Sequence, residues 1–231
     1  MSTLATAQVP VVHYPDSDGL PMSDNTIQFN WISILKWNAD GYFRNDPNVF
    51  VAGDHLIYAV EGEPTIRQAP DVYVVFGRPK HDRGSYKVWE EGGIFPQVIF
   101  EVWSPNNRYN AMLKKFEFYE KYGAEEYYII YPEFPSHAEG WLRKAGKLSG
   151  ISELNGHISP RLGWRFELRT GDLTIFGPDN RLLRNPAEII AERDAIEQER
   201  NAIEQERDAA REQAIRLAER LRTLGIDPES V

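Results

Sequence analysis

The chain has 231 residues, enough for one full-sized domain with an appendage or for two small domains. Its 26 basic and 35 acidic residues give a formal charge of −9, and hydrophobic residues make up 42%, which excludes a disordered or collagenous chain. It has no cysteine, which also excludes a disulfide framework, a thiolate metal site and a thiol nucleophile.

No apolar run approaches the ~20 residues that cross a bilayer. The first residues lack both the basic start and the apolar core of an export signal. A cytoplasmic protein with no membrane partner is expected. The acidity is uneven: residues 187–231 hold twelve acids and seven bases, and the rest hold 23 and 19. Neither part carries the basic field that holds DNA by charge alone, so a nucleic-acid role has to rest on a local patch.

In chain order, residues 1–12 lack periodicity and read as a flexible arm, followed by a turn-rich stretch over 13–22. Ser23 or Asp24 reads as a helix N-cap. Ile27, Trp31, Ile34, Leu35 and Asn38 then predict an amphipathic helix over 24–39. Three runs rich in strand formers follow, at 49–60, 71–76 and 97–103. Residues 107–122 return to helical spacing, with Met112, Phe116 and Tyr119 on one stripe and Gly123 as C-cap. Residues 126–131 make another apolar strand. A helix joining two buried strands normally connects parallel neighbours, so the order helix, three strands, helix, strand predicts an α/β core over about 24–132 with a mixed sheet. The Gly-punctuated strands over 138–178 predict an antiparallel β extension, which closes a folded domain over 13–184.

Over 187–224 the composition shifts to Ala, Glu, Gln and Arg, and a seven-residue word repeats: Arg193-Asp-Ala-Ile-Glu-Gln-Glu, then Arg200-Asn-Ala-Ile-Glu-Gln-Glu. Ile189, Ile196, Ile203, Ala210, Leu217 and Leu224 mark one heptad position. Four residues after each of the first five come Arg193, Arg200, Arg207, Ala214 and Leu221, so the second position is polar over the first half. A strong coiled coil wants both positions apolar. A long charged helix of about 55–60 Å is expected, and two readings stay open. It self-associates through a weak coiled coil, mainly over its last turns, or it is a solvated helix supported by its own charge pairs. Residues 225–231 form a tail.

The chain has no Gly-rich phosphate loop ending in Lys-Ser/Thr, no Gly-x-Ser-x-Gly and no His-Glu-x-x-His, and its five histidines are scattered. The informative feature is a pair of carboxylates on strands. Glu101 interrupts the otherwise apolar run Val98-Ile-Phe-Glu-Val-Trp103, where an isolated carboxylate is costly unless neutralised, paired or bound to metal. Asp71 opens the neighbouring apolar run. Two such groups can converge on Mg²⁺, which takes few protein carboxylates. Alternatively, Asp71 ends a turn and Glu101 pairs with a core base. On the following helix, steps of about 100° put Lys115 beside the inward stripe and Lys114 away from it. Lys115 is then either a reach back towards the carboxylates or a snorkelling side chain. Asp54 and Asp24 are candidate extra metal ligands, for each of which turn or capping use ranks well ahead of metal binding. The loop from Gly77 to Arg83 is the best basic patch. Trp89 and Trp103 stack on bases or, more commonly, belong to the core.

Pro70-Asp71, Phe100-Glu101-Val-Trp-Ser-Pro105, Lys115-x-x-x-Tyr119 and Gly123-Ala-Glu-Glu-Tyr-Tyr-Ile-Ile-Tyr-Pro132 together resemble the Uma-type family of restriction endonucleases, within the PD-(D/E)xK nuclease superfamily. Tyr14 to Met22, Gly53-Asp54, Gly77-Arg-Pro79, Arg83 to Lys87 and the charged tail are similar to one branch of it. The resemblance implies a restriction-endonuclease-like α-β-β-β-α-β core and an Mg²⁺-dependent endonuclease acting on DNA, with Mn²⁺ as a substitute ion. Asp71 and Glu101 would be the metal ligands, and Lys115 would be the catalytic lysine. The superfamily lysine normally stands two residues after the second acid, where this chain has Trp103, so in this family the role passes to the helix. That departure keeps an alternative open: an inert nuclease fold that serves as a binding or scaffold module through its C-terminal helix.

Overall fold

The computed structural model describes residues 12–19 and 21–224. All but the last residue of the expected arm, and the whole expected tail, lie outside these. The chain divides into two compact units, one ending at Asn185 and one beginning at Pro186.

The first unit opens with α1 (Thr26–Tyr42), which starts later and runs further than the sequence predicts. Its cap is Asn25 rather than Ser23 or Asp24. The Asn25 Oδ1 accepts the Gln28 N–H at 2.8 Å, and Gln28 Oε1 in turn accepts the Asp24 N–H at 2.8 Å. The buried face is Gln28, Ile32, Leu35 and Ala39, rotated from the stripe of large apolar residues; Ile27 is 48% exposed. Gln28 can face inward because its amide donates to the Val102 carbonyl at 3.0 Å, which satisfies a buried polar group.

The run from Val49 is two strands, not one. β1 (Val49–Gly53) stops where Asp54 turns to φ 46°, a left-handed conformation that Asp tolerates better than most residues, before β2 (Ile57–Tyr58). Then come β3 (Arg67–Gln68), β4 (Val72–Phe76), β5 (Tyr86–Lys87), β6 (Val98–Val102), α2 (Tyr109–Tyr122) and β7 (Glu126–Tyr131). Gly123, at φ 118°, ends α2 as its left-handed cap. The rest of the unit is β8 (His137–Lys144), β9 (Lys147–Gly150), β10 (Arg165–Arg169) and β11 (Asp172–Phe176).

The main sheet has the order β1-β4-β6-β7-β8-β9. β6 and β7, joined through α2, are parallel, and every other neighbouring pair is antiparallel. α1, β1, β4, β6, α2 and β7 give the α-β-β-β-α-β order of a restriction-endonuclease-like core, so the protein is α/β with a mixed sheet. The expected extension divides: β8 and β9 widen the main sheet, whereas β10 and β11 form a separate hairpin. One sheet face packs Val74, Val98 and Phe100 against Leu35 of α1 and against Trp164 and Phe166 at the hairpin. The other packs Tyr73, Ile99 and Tyr127 against Met112, Phe118 and Tyr119 of α2. The buried aliphatic and aromatic side chains of these two cores supply most of the drive to fold.

The second unit is α3 (Pro186–Thr223), with Pro in the first helical position where its missing N–H costs nothing. None of its residues is buried.

Candidate active site

The α2-facing side of the main sheet carries the two carboxylates. The β4–β6 ladder ends at Val72 opposite Phe100, while β6 continues to Val102. Asp71 fills the gap: its Oδ2 accepts the Val102 N–H at 2.6 Å. Glu101 is 2% exposed and has both oxygens engaged from α2. Lys115 Nζ donates to Oε2 at 2.7 Å and the Tyr119 hydroxyl donates to Oε1 at 2.6 Å. Lys115 also donates to the Ala69 carbonyl at 3.2 Å, tying α2 to the segment that leads into Asp71. Lys114 is exposed.

The electrostatics bind these groups into one unit. Burial, then the charge of Glu101, pushes the Asp71 carboxyl up to about 8, against the pull of Lys115 and the Val102 N–H. Burial pulls the Lys115 ammonium down, but Glu101 and Asp71 outweigh it and leave it above its ordinary value. Asp54 is raised by burial and by Asp18, with Lys115 acting the other way. Its N–H donates to the Asp71 carbonyl at 3.1 Å. Asp54 thus belongs to the neighbourhood while also serving its turn. Asp24 serves elsewhere: it accepts from the Ser104 hydroxyl at the start of α1.

Two other candidates are absorbed into the structure. Arg83, in the basic loop, has its side chain 5% exposed. It donates to Glu91 at 2.6 Å, and its guanidinium lies 4.2 Å from the centre of the Phe50 ring. Arg78 joins the same carboxylate at 3.0 Å, and Lys80 donates to the Phe43 carbonyl. The two arginines are thus paired with Glu91, while Pro79 to Asp82 of the loop stay exposed. Trp103 packs against Tyr131 with ring centres 5.5 Å apart. Tyr119, which the sequence offers as core and as part of the Lys115-x-x-x-Tyr119 motif but without a role of its own, is a polar member of the site. Its position four residues after Lys115 was the available signal, because i and i+4 share a helix face.

A family model, Uma2, described as "Putative restriction endonuclease", matches residues 20–137. The chain belongs to the Uma2 family. The match takes in Asp54, Asp71, Glu101, Lys115 and Tyr119 and stops at the start of β8. Among solved structures, a putative nuclease from Anabaena variabilis is similar, with 13% identity over 59% of this chain and 72% of that one and a TM-score of 0.43. No curated protein matches significantly.

The donor set of this Uma2 protein fits a hard divalent ion. Asp71 and Glu101 offer carboxylate oxygens, and the Asp71 carboxyl, raised by burial and then by the charge of Glu101, faces a repulsion that a shared cation would relieve. Among the described residues, no group of three or more His, Asp or Glu could hold a metal. The remaining coordination would therefore fall to water and substrate, as is usual for Mg²⁺.

Proposed function

We propose that this protein is a divalent-metal-dependent endonuclease that hydrolyses phosphodiester bonds in DNA, with Mg²⁺, or Mn²⁺ in its place, held by Asp71 and Glu101. One observation carries the reading: Lys115 reaches Glu101 at 2.7 Å from α2, so the helix supplies the lysine that Trp103 displaces from the strand. When bound, the ion supplies Lewis-acid polarisation of the scissile phosphoryl group. Lys115 presents an ammonium, held charged by its two carboxylates, to the negative charge that develops during attack on phosphorus. Tyr119 fixes the Glu101 carboxylate from behind, and the Val102 N–H fixes that of Asp71. No helix among the described residues is long and apolar enough to cross a membrane. We propose a cytoplasmic location, beside the DNA substrate. We also propose that α3 joins copies of the chain.

Plasmid DNA incubated with Mg²⁺ or Mn²⁺ is expected to be nicked or linearised by the wild type and left intact by Asp71→Ala and Glu101→Ala. Cutting that persists without divalent ions, or in both variants, overturns the reading. Calorimetric titration that finds the same Mg²⁺ binding in wild type and Glu101→Ala would identify an inert fold.

A further inference from the structure

α3 leaves Ile189, Ile196, Ile203 and Leu217 between 46% and 60% exposed. Burying such side chains is worth about 1.5–3 kcal/mol each, which gives the helix a reason to take a partner. With the Ile/Leu row at heptad position d, position a is held by Arg193, Arg200 and Arg207 and then by Ala214 and Leu221. The flanking g positions are Glu192, Glu199, Glu206, Gln213 and Arg220, and the e positions are Ile190, Glu197, Glu204, Arg211 and Ala218. The helix is therefore acidic at its edges near one end and basic near the other.

That polarity decides the orientation of a pair, because edge charges set partner choice and direction in a coiled coil. A parallel pair would offer one opposite-charge edge pair, Glu206 with Arg211, but would face each of the three arginines with its own copy and set Glu199 beside Glu204 of the second copy. These last two arrangements place like charges together. An antiparallel pair sets each a position opposite a d position. Arg200 then lies against Leu217 and Leu221 against Ile196, while Glu199 meets Arg220 and Glu204 meets Arg211. Sliding by one heptad keeps Glu192 opposite Arg220 and Glu197 opposite Arg211 but sets Glu204 and Glu206 each against its own copy, which makes it the poorer register. We infer that α3 is an antiparallel coiled-coil surface whose partner is the α3 of a second copy. This rests on the self-association proposed above and adds its direction. The two helix N-termini lie at opposite ends of the pair, about 50 Å apart.

The absence of cysteine makes a single introduced thiol an unambiguous reporter in the full chain. Ile196→Cys, Ala214→Cys and Leu221→Cys fall on an exposed helix with no core of its own to lose. Sedimentation is expected to give twice the chain mass. On oxidation, Ile196→Cys is expected to cross-link when mixed with Leu221→Cys or with Ala214→Cys, and not when alone. A dimer in which Ile196→Cys links efficiently to itself overturns the antiparallel direction and leaves self-association standing. A monomer at every concentration overturns both, and a trimer or larger assembly overturns the two-stranded pairing.

Discussion

Glu101 and Glu126 stand on adjacent strands, 2% and 1% exposed, and face opposite sides of the same sheet. Glu101 is held by Lys115 and Tyr119. Glu126 is held by the Tyr128 and Ser159 hydroxyls and the Arg161 N–H, and burial raises its carboxyl. The Glu126 partners are neutral donors that close the turn at Ser159–Gly163, where the Gly163 N–H returns to the Ser159 carbonyl. The Glu101 partners include a cation, and Asp71 lies beside it. Burial alone therefore does not mark a site. What distinguishes the two regions is a second acid in the same field: the charge of Glu101 acts on Asp71, whereas the one charge acting on Glu126 is that of Arg161.

The widest contrast comes from replacing the two acids in turn. Glu101→Gln is expected to lower divalent-ion-dependent cutting by roughly 10³-fold or more, the scale at which preorganised charge groups act, in a chain that still unfolds cooperatively. Glu126→Ala strips the acceptor from three buried or half-buried donors and is expected to destabilise the domain by about 3 kcal/mol. Its effect should appear in urea unfolding, with the activity of the folded fraction unchanged. If Glu126→Ala abolishes cutting without loss of stability, the division between the two regions fails.

A second difference lies in pH. The Asp71 carboxyl titrates near 8 in the folded chain and near 3.9 in the unfolded one. Between those values the native state keeps a proton that the unfolded state has released. Stability of the metal-free protein should therefore fall as pH rises from about 4 to 8, by a few kcal/mol at most. The fall is fully expressed above the folded value. Asp71→Asn should flatten the decline in urea midpoints measured across that range. Divalent-ion affinity should move the other way and strengthen towards pH 8, because the ion competes with that proton.

Glu101 was legible because one acid interrupted an apolar strand, and Lys115 was legible from helical phase. Glu126 occupies an equally apolar run yet gave no signal, since Ser159 and Arg161 lie 33 and 35 residues further along. Arg83 misled for the same reason: a basic loop looks open until Glu91 is placed beneath it. The break at Asp54 was hidden by strand formers on both sides, and the α1 face by a polar Gln28 whose partner, Val102, is 74 residues away. Element order followed from local periodicity. What escaped was pairing at long sequence separation, which no local pattern encodes.

The smallest effect is expected at Tyr119, where the comparison is sharpest. Its hydroxyl donates to Glu101, so Tyr119→Phe leaves the ring packing and the Lys115 contact in place and removes one hydrogen bond. Partners that orient a ligand typically tune ion affinity 10–100-fold. Because Lys115 still holds the other Glu101 oxygen, a loss near the lower end, about tenfold, is expected in calorimetric titration with Mn²⁺. Glu126 offers the matched control. Tyr128→Phe also removes a hydroxyl donor from a buried glutamate, but one on which no second acid acts, and should leave ion affinity unchanged. Equal losses in the two variants would mean that both glutamates respond to general loosening of the sheet, and the distinction drawn from their partners would not hold.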